Sequence, residues 1–168
     1  NFQHQLTPVR LLNTHCHIDH VFGNKYVAET YQLELEIHEG ELPVLNMLQA
    51  TGNKYGVPVE LSPAPARFLV PGESLTFGES KLDILFTPGH SPASVSFYNK
   101  AGGFVIAGDV LFRGSIGRTD LMGGDFNTLI QSIRSQLFPL GDDVIVYSGH
   151  GPQTTIGYER QSNPFLTQ

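Results

Sequence analysis

Apolar positions change their spacing along the chain, and each change predicts a different kind of element. Residues 9–12 form a short apolar run that ends in polar Asn13 and Thr14, the pattern of a strand running out into a loop. Residues 24–31 follow with a helical pattern. From 33 to 37 apolar and acidic residues alternate as in a half-buried strand, and Leu42, Leu45 and Leu48 continue at helical spacing after Pro43. Residues 67–70, 74–77, 82–86, 95–98 and 104–107 predict five strands separated by Gly, Pro and Asn turns. Asp125 predicts the N-cap of a helix with Phe126, Leu129, Ile130, Ile133 and Leu137 on one face, and 144–147 predicts a buried strand.

The run Leu61-Ser62-Pro63-Ala64-Pro65-Ala66 separates the helix-rich beginning from the strand-rich middle and has the stiffness of a surface connection. Strands alternating with amphipathic helices predict an α/β layered architecture. A length of 168 residues suits one packed core, so residues 1–168 are expected to form a single domain.

Charge and cysteine content narrow the possible partners. A formal net charge of -6 lacks the basic footprint of a nucleic-acid binder. The single cysteine, Cys16, excludes an internal disulfide and suits a reducing compartment. No apolar run reaches membrane-spanning length, and the first ten residues lack the charged and apolar regions of a signal peptide. A soluble, cytoplasmic protein without nucleic-acid or membrane partners is the expectation.

The chemistry concentrates in His15-Cys16-His17-Ile18-Asp19-His20, where the first apolar run ends and a helix is predicted to begin. Imidazole nitrogen and carboxylate oxygen suit zinc or iron, and a strand-to-helix junction lets side chains converge. An exposed histidine cluster or a tag is the bland alternative, but tags are repetitive and this string is interior and interrupted by Ile18. Cys16 alternates away from the ligand side and is expected to be a small packing residue. His4 and His38 are expected to be ordinary surface histidines. His90, Asp109 and His150 each follow an apolar run and stand beside a glycine. Singly each reads as a turn residue. Jointly they suggest one site, because ligands gather beyond the carboxyl ends of strands.

The order His15-x-His17-x-Asp19-His20, then His90, Asp109 and His150, resembles the ligand set of the metallo-β-lactamase superfamily over essentially the whole chain. The resemblance implies an αβ/βα sandwich. It implies His15, His17 and His90 on one divalent ion, Asp19, His20 and His150 on a second, and Asp109 bridging. Zinc is the expected metal, with iron and manganese also compatible. Family members carry several strands ahead of the metal motif, whereas fourteen residues precede His15, so an N-terminally shortened domain lacking some strands is expected. Gly117-Arg118-Thr119-Asp120-Leu121 and the stretch from Ser148 to Leu166 are similar to short, glyoxalase II-like bacterial hydrolases. Arg118 matches a basic position that meets glutathione, while Asp120 stands where an aromatic hydroxyl is expected. A loop-fixing salt bridge between these two is as good a reading as substrate contact.

The implied activity is hydrolysis of a small thioester by a metal-bridging hydroxide, with Asp19 and Asp109 as catalytic carboxylates and Arg118 binding substrate. Two other readings remain open: a mononuclear iron dioxygenase acting on persulfides, and a non-catalytic metal-binding or di-iron redox protein. His150 in its Gly-His-Gly-Pro setting weighs against the first. His17, which stands where flavo-di-iron relatives carry a glutamate, weighs against the second.

Overall fold

The computed structural model describes residues 6–167, so His4 lies outside the described residues. The chain forms two compact units, one ending at Leu69 and one beginning at Val70.

The first unit is built on three short parallel strands in the order β1 (Leu11–Leu12), β2 (Leu35–Ile37) and β3 (Arg67–Phe68). Parallel neighbours cannot be joined by a hairpin, and helices fill the connections: α1 (Ile18–Val21), α2 (Asn24–Tyr31), α3 (Leu42–Asn46) and α4 (Leu48–Tyr55). The helix expected at 24–31 is present with those bounds, and left-handed Gln32 closes it by donating its N–H to the Ala28 carbonyl. Pro43 sits inside the first turn of α3 rather than ahead of it, where a missing N–H costs no helical hydrogen bond.

The half-buried strand expected over 33–37 differs in the structure. It begins only at Leu35, and all three residues of β2 are buried, Glu36 included. Arg10 explains this, since its Nη1 donates to both Glu36 carboxylate oxygens at 2.6 and 2.8 Å, and Arg67 Nε stands 3.9 Å away. A carboxylate flanked by guanidinium groups can occupy a central strand that an unpaired one could not. Residues 61–66 run without regular structure and none is buried, as expected of a surface connection. The boundary between units falls beyond them because β3 pairs with β2.

The second unit carries a six-stranded sheet. Strands β4 (Ser74–Phe77), β5 (Ser80–Phe86), β6 (Val95–Asn99) and β7 (Phe104–Gly108) form an antiparallel meander. A small hairpin, β8 (Leu111–Phe112) and β9 (Ser115–Ile116), follows, and then α5 (Phe126–Ser132) crosses back to β10 (Ile145–Ser148), parallel to β7. Strand β11 (Thr154–Thr155) pairs antiparallel with β10, and α6 (Ile156–Ser162) ends the regular structure. Because β5 and β6, and β6 and β7, are antiparallel while β7 and β10 are parallel, β5, β7 and β10 all point the same way.

Helix α5 starts where expected. Asp125 is extended and its Oδ1 accepts the Thr128 N–H at 2.7 Å, a bond that holds its carboxyl below the usual carboxylate range. Of its predicted apolar face, Leu129, Ile133 and Leu137 are fully buried against Val105, Ala107 and Val146, whereas Phe126 is 45% exposed. The strand expected to be buried at 144–147 begins at Ile145 and is buried on one side only, with Val146 inside and Tyr147 outside. Its alternation follows from helices covering one face. Among the described residues no helix is long and apolar enough to cross a membrane.

Leu129→Ala is expected to cost about 2–5 kcal/mol, because it opens a cavity among fully buried neighbours. Phe126→Ala should cost no more than about 0.5 kcal/mol. Denaturant unfolding of the two variants measures both, and equal losses would show that α5 packs through a different face.

Candidate metal centre

In the first unit the ligand-type string leaves the sheet under firm control. The Asn13 N–H still donates to the Glu36 carbonyl at 3.2 Å, extending the ladder by one residue beyond β1. Buried Asn13 and Asn24 then exchange side-chain hydrogen bonds at 3.2 and 2.7 Å, and Asn13 Nδ2 also reaches the His20 carbonyl at 3.2 Å. Near its start, the Cys16 N–H donates to a carboxylate oxygen of fully buried Glu41 at 2.9 Å. The string is thus tied through Asn13 just before it, at Cys16 and at His20. His15, 1% exposed, lies with its ring 4.9 Å from that of His17, edge-on, and 4.0 Å from that of His20. Asp19 follows in the first turn of α1, its Oδ2 3.6 Å from His20 Nε2.

Cys16 points into the core with Val21 and Leu35, the packing role expected of it. Burial, with the Glu41 carboxylate adding to it, pushes its thiol far above the usual range, so it stays protonated. His38 is more than a surface residue, because its Nδ1 accepts the Gly40 N–H at 3.1 Å and caps the turn Glu39–Glu41.

In the second unit, His90, Asp109 and His150 follow β5, β7 and β10, the three strands that point the same way. The pairing of β7 with β10 shifts register between Tyr147 and Ser148, and the Gly149 N–H donates to the Gly108 carbonyl at 2.8 Å. Asp109 and His150 therefore leave adjacent strands side by side. Asp109 Oδ2 lies 3.5 Å from His90 Nε2 and 3.4 Å from His150 Nε2. One carboxylate oxygen thus stands within reach of two imidazoles, in a setting where His90 and Asp109 are buried and His150 is exposed.

The tautomer of His90 follows from its other contact. Nδ1 lies 2.7 Å from the Arg118 carbonyl, which can only accept, so Nδ1 carries a proton and, in the neutral ring, Nε2 carries the lone pair. Imidazoles oriented in this way through their second nitrogen are the form in which histidine ligates metal. Gly117 makes the approach possible, since a Cβ there would fall on the Asp109 carbonyl oxygen and 3.1 Å from His90 Nδ1. Gly89, at φ +126°, has no room for a side chain against the Leu129 backbone. Imidazole nitrogen and carboxylate oxygen, fixed close together in each unit, fit a divalent cation by donor type.

Sequence reasoning missed the parts played by the Arg118 carbonyl, Asn13, Asn24 and Glu41. A backbone carbonyl has no sequence signature. The buried acid and amides had little more, since Asn13 ends its apolar run, Asn24 stands between Gly23 and Lys25, and Glu41 follows Glu39 and Gly40, so their burial shows only in the fold.

The sequence matches the description of the metallo-β-lactamase superfamily over residues 2–150. The chain belongs to that superfamily. It is 40% identical over 158 residues to the hydroxyacylglutathione hydrolase GloC of Haemophilus influenzae, covering 93% of this chain and 74% of that protein. Among solved structures it resembles the BLEG-1 B3 metallo-β-lactamase, with a TM-score of 0.91, 41% identity and coverage of 99% and 81%. It also resembles TTHA1623 in a di-iron-bound form, with a TM-score of 0.90, 39% identity and coverage of 98% and 81%. This superfamily member therefore has the metallo-β-lactamase fold, as the sequence led one to expect, and it is a metal-dependent hydrolase.

The loop that supplies the Arg118 carbonyl also holds an ion pair, in which Arg118 Nε and Nη2 meet the two oxygens of Asp120 at 2.7 Å each. This fork holds the Asp120 carboxyl down at about 2, although both side chains are exposed. In Arg118→Ala the charged form loses its partner, so the Asp120 carboxyl should rise toward the ordinary value of about 3.9. A carboxyl carbon NMR titration follows this, and an unchanged midpoint would mean that the pair does not persist in solution.

Proposed function

We propose that this hydrolase cleaves small thioesters of a glutathione-type thiol, using two divalent ions. His15, His17 and His90 would hold one ion and Asp19, His20 and His150 the other, with Asp109 serving both. The order of these residues in the chain supports the assignment. The observation that carries it is the Asp109 carboxylate, whose Oδ2 lies 3.5 Å from His90 Nε2 and 3.4 Å from His150 Nε2. A carboxylate serving two imidazoles assigned to different ions is what a binuclear centre requires, and a single-iron oxygenase has no use for the second.

When bound, two such ions supply an activated water and polarise the carbonyl to be attacked. The residues do the rest. Asp19, with a half-exposed side chain, accepts a hydrogen bond from the attacking water through a carboxylate oxygen and turns it toward the carbonyl carbon. Asp109 keeps the donor sets in register. Arg118, exposed but paired with Asp120, would exchange that partner for a carboxylate on the thiol part of the substrate. The leaving group needs no protein acid, because a thiol with pKa near about 8.5 departs as thiolate. The likeness to GloC supports glutathione as the thiol. The di-iron form of TTHA1623 makes iron as suitable an occupant as zinc.

The test joins elemental analysis to a substrate panel, on the protein with its full natural sequence: S-lactoylglutathione, a β-lactam, and glutathione persulfide with oxygen uptake. Two equivalents of metal and thiol release from S-lactoylglutathione are expected. His150→Ala should lose one equivalent and reduce thioester hydrolysis by more than the roughly 10- to 100-fold typical of changes behind the ligands, while remaining folded. One iron with oxygen uptake on the persulfide, or turnover of the β-lactam alone, would overturn the proposal.

A further inference from the structure

Glu159, on α6, is fully buried, and none of its hydrogen-bond donors is charged. Its Oε2 accepts the Gly114 N–H at 2.9 Å and Asn163 Nδ2 at 2.8 Å, while Oε1 accepts the Thr154 hydroxyl at 2.5 Å. Asn163, also fully buried, donates from the same Nδ2 to the Ser115 carbonyl at 2.9 Å. Arg113 and Gly114 join β8 to β9, and Ser115 opens β9, so the two buried side chains grip the hairpin at and just after its turn by one N–H and one carbonyl. A buried carboxylate held only by neutral donors is costly to keep, and it persists where its acceptor pattern does something an apolar residue cannot. Three donors converging on two oxygens call for a group that only accepts.

The gripped hairpin touches all three ligand-type residues of its unit. Asp109 stands just before β8. Arg118, just after β9, supplies the carbonyl that takes the His90 Nδ1 proton at 2.7 Å. Ser148, two residues before His150, donates its hydroxyl to the Leu111 carbonyl in β8 at 2.7 Å. Phe112 of β8 meets the His150 ring edge-on, with centroids 6.3 Å apart. A displacement of the hairpin therefore moves the groups that set His90, Asp109 and His150 together.

We propose that Glu159 is a positioning residue, whose carboxylate fixes the β8–β9 hairpin and through it the mutual placement of His90, Asp109 and His150 for metal. The inference rests on the metal-centre reading above. It goes further in making the ligand geometry of this unit depend on a buried acid that is not itself a ligand. The Arg118 carbonyl is the direct outer partner of His90, and losing such a partner typically costs about 10- to 100-fold in metal affinity, the effect expected when the hairpin that positions it is released.

The experiment is a Co(II) titration of the metal-stripped full-length protein, following the visible absorption spectrum and the affinity against a competing chelator, with thermal melting in parallel. Glu159→Leu should weaken Co(II) binding by about 10- to 100-fold and alter the absorption bands. Glu159→Gln keeps an oxygen for the Gly114 and Asn163 donors and turns an amide toward the Thr154 hydroxyl, which can accept it, so most of the affinity and the wild-type bands should return. Leu137→Ala, in the core behind α5, controls for stability alone: it should lower the melting temperature and leave the bands unchanged. Should Glu159→Leu not fold, Asn163→Ala removes the grip on the Ser115 carbonyl and is expected to shift the same bands. A folded Glu159→Leu, or Asn163→Ala in its place, with wild-type affinity and spectrum overturns the positioning role. Wild-type protein that binds no Co(II) overturns the metal-centre reading, and this inference with it, and that result is visible before any variant is made.

Discussion

An oxygen of Asp109 sits within 3.5 Å of two imidazole nitrogens, and much of the second unit is arranged to keep it there. The fold enforces this closeness from the backbone. Strands β7 and β10 run parallel and adjacent, which brings Asp109 and His150 out together. The antiparallel meander returns β5 to the same direction, which brings His90 to the same end. The glycines follow as a consequence. Gly117 has to lack a side chain because the segment carrying the Arg118 carbonyl passes against the Asp109 backbone on its way to His90.

The first unit solves a similar problem with different means. Among the described residues its sheet has three short strands, and their ladder hydrogen bonds stop at Asn13, short of the six-residue string. Buried polar side chains take over: the Asn13 and Asn24 pair at the ends, and Glu41 on the Cys16 N–H between His15 and His17. Networks of this sort are worth keeping only when every member is satisfied, and they then hold one geometry more strictly than apolar packing does. Glu36 belongs to the same economy of buried acids, held in its strand by Arg10.

What the sequence made legible was periodic or local. The helix at 24–31 showed in its spacing, α5 in its Asp125 cap, and the strands of the meander in their β-rich runs between turn residues. The ligand-type residues showed because each follows an apolar run and stands beside glycine or another metal-capable residue. Long-range pairing was not legible. Glu36 looked like the exposed side of a strand because Arg10 lies 26 residues earlier in the chain. Tyr147 looked buried because an apolar run does not say which of its faces helices will cover. The β8–β9 hairpin spans too few residues to establish a period, and Glu159 is one acid among polar neighbours until the fold brings Gly114 to it from 45 residues away.

Cys16 shows how the fold also decides which donors are withheld. A thiolate is a stronger ligand for zinc or iron than imidazole, and this sulfur lies between two ligand-type histidines in the chain. Two features keep it out. The alternation of the extended string turns it into the core among Val21, Leu35 and Ile37, where it is 1% exposed. Burial and the neighbouring Glu41 carboxylate also raise the thiol's pKa, so the proton that ligation must displace is held more firmly. The same Glu41 oxygen that accepts the Cys16 N–H thus fixes the backbone presenting His15 and His17 and discourages the one competing donor between them. A nitrogen and oxygen donor set without sulfur is therefore a property of the folded string, although a cysteine stands second in its sequence.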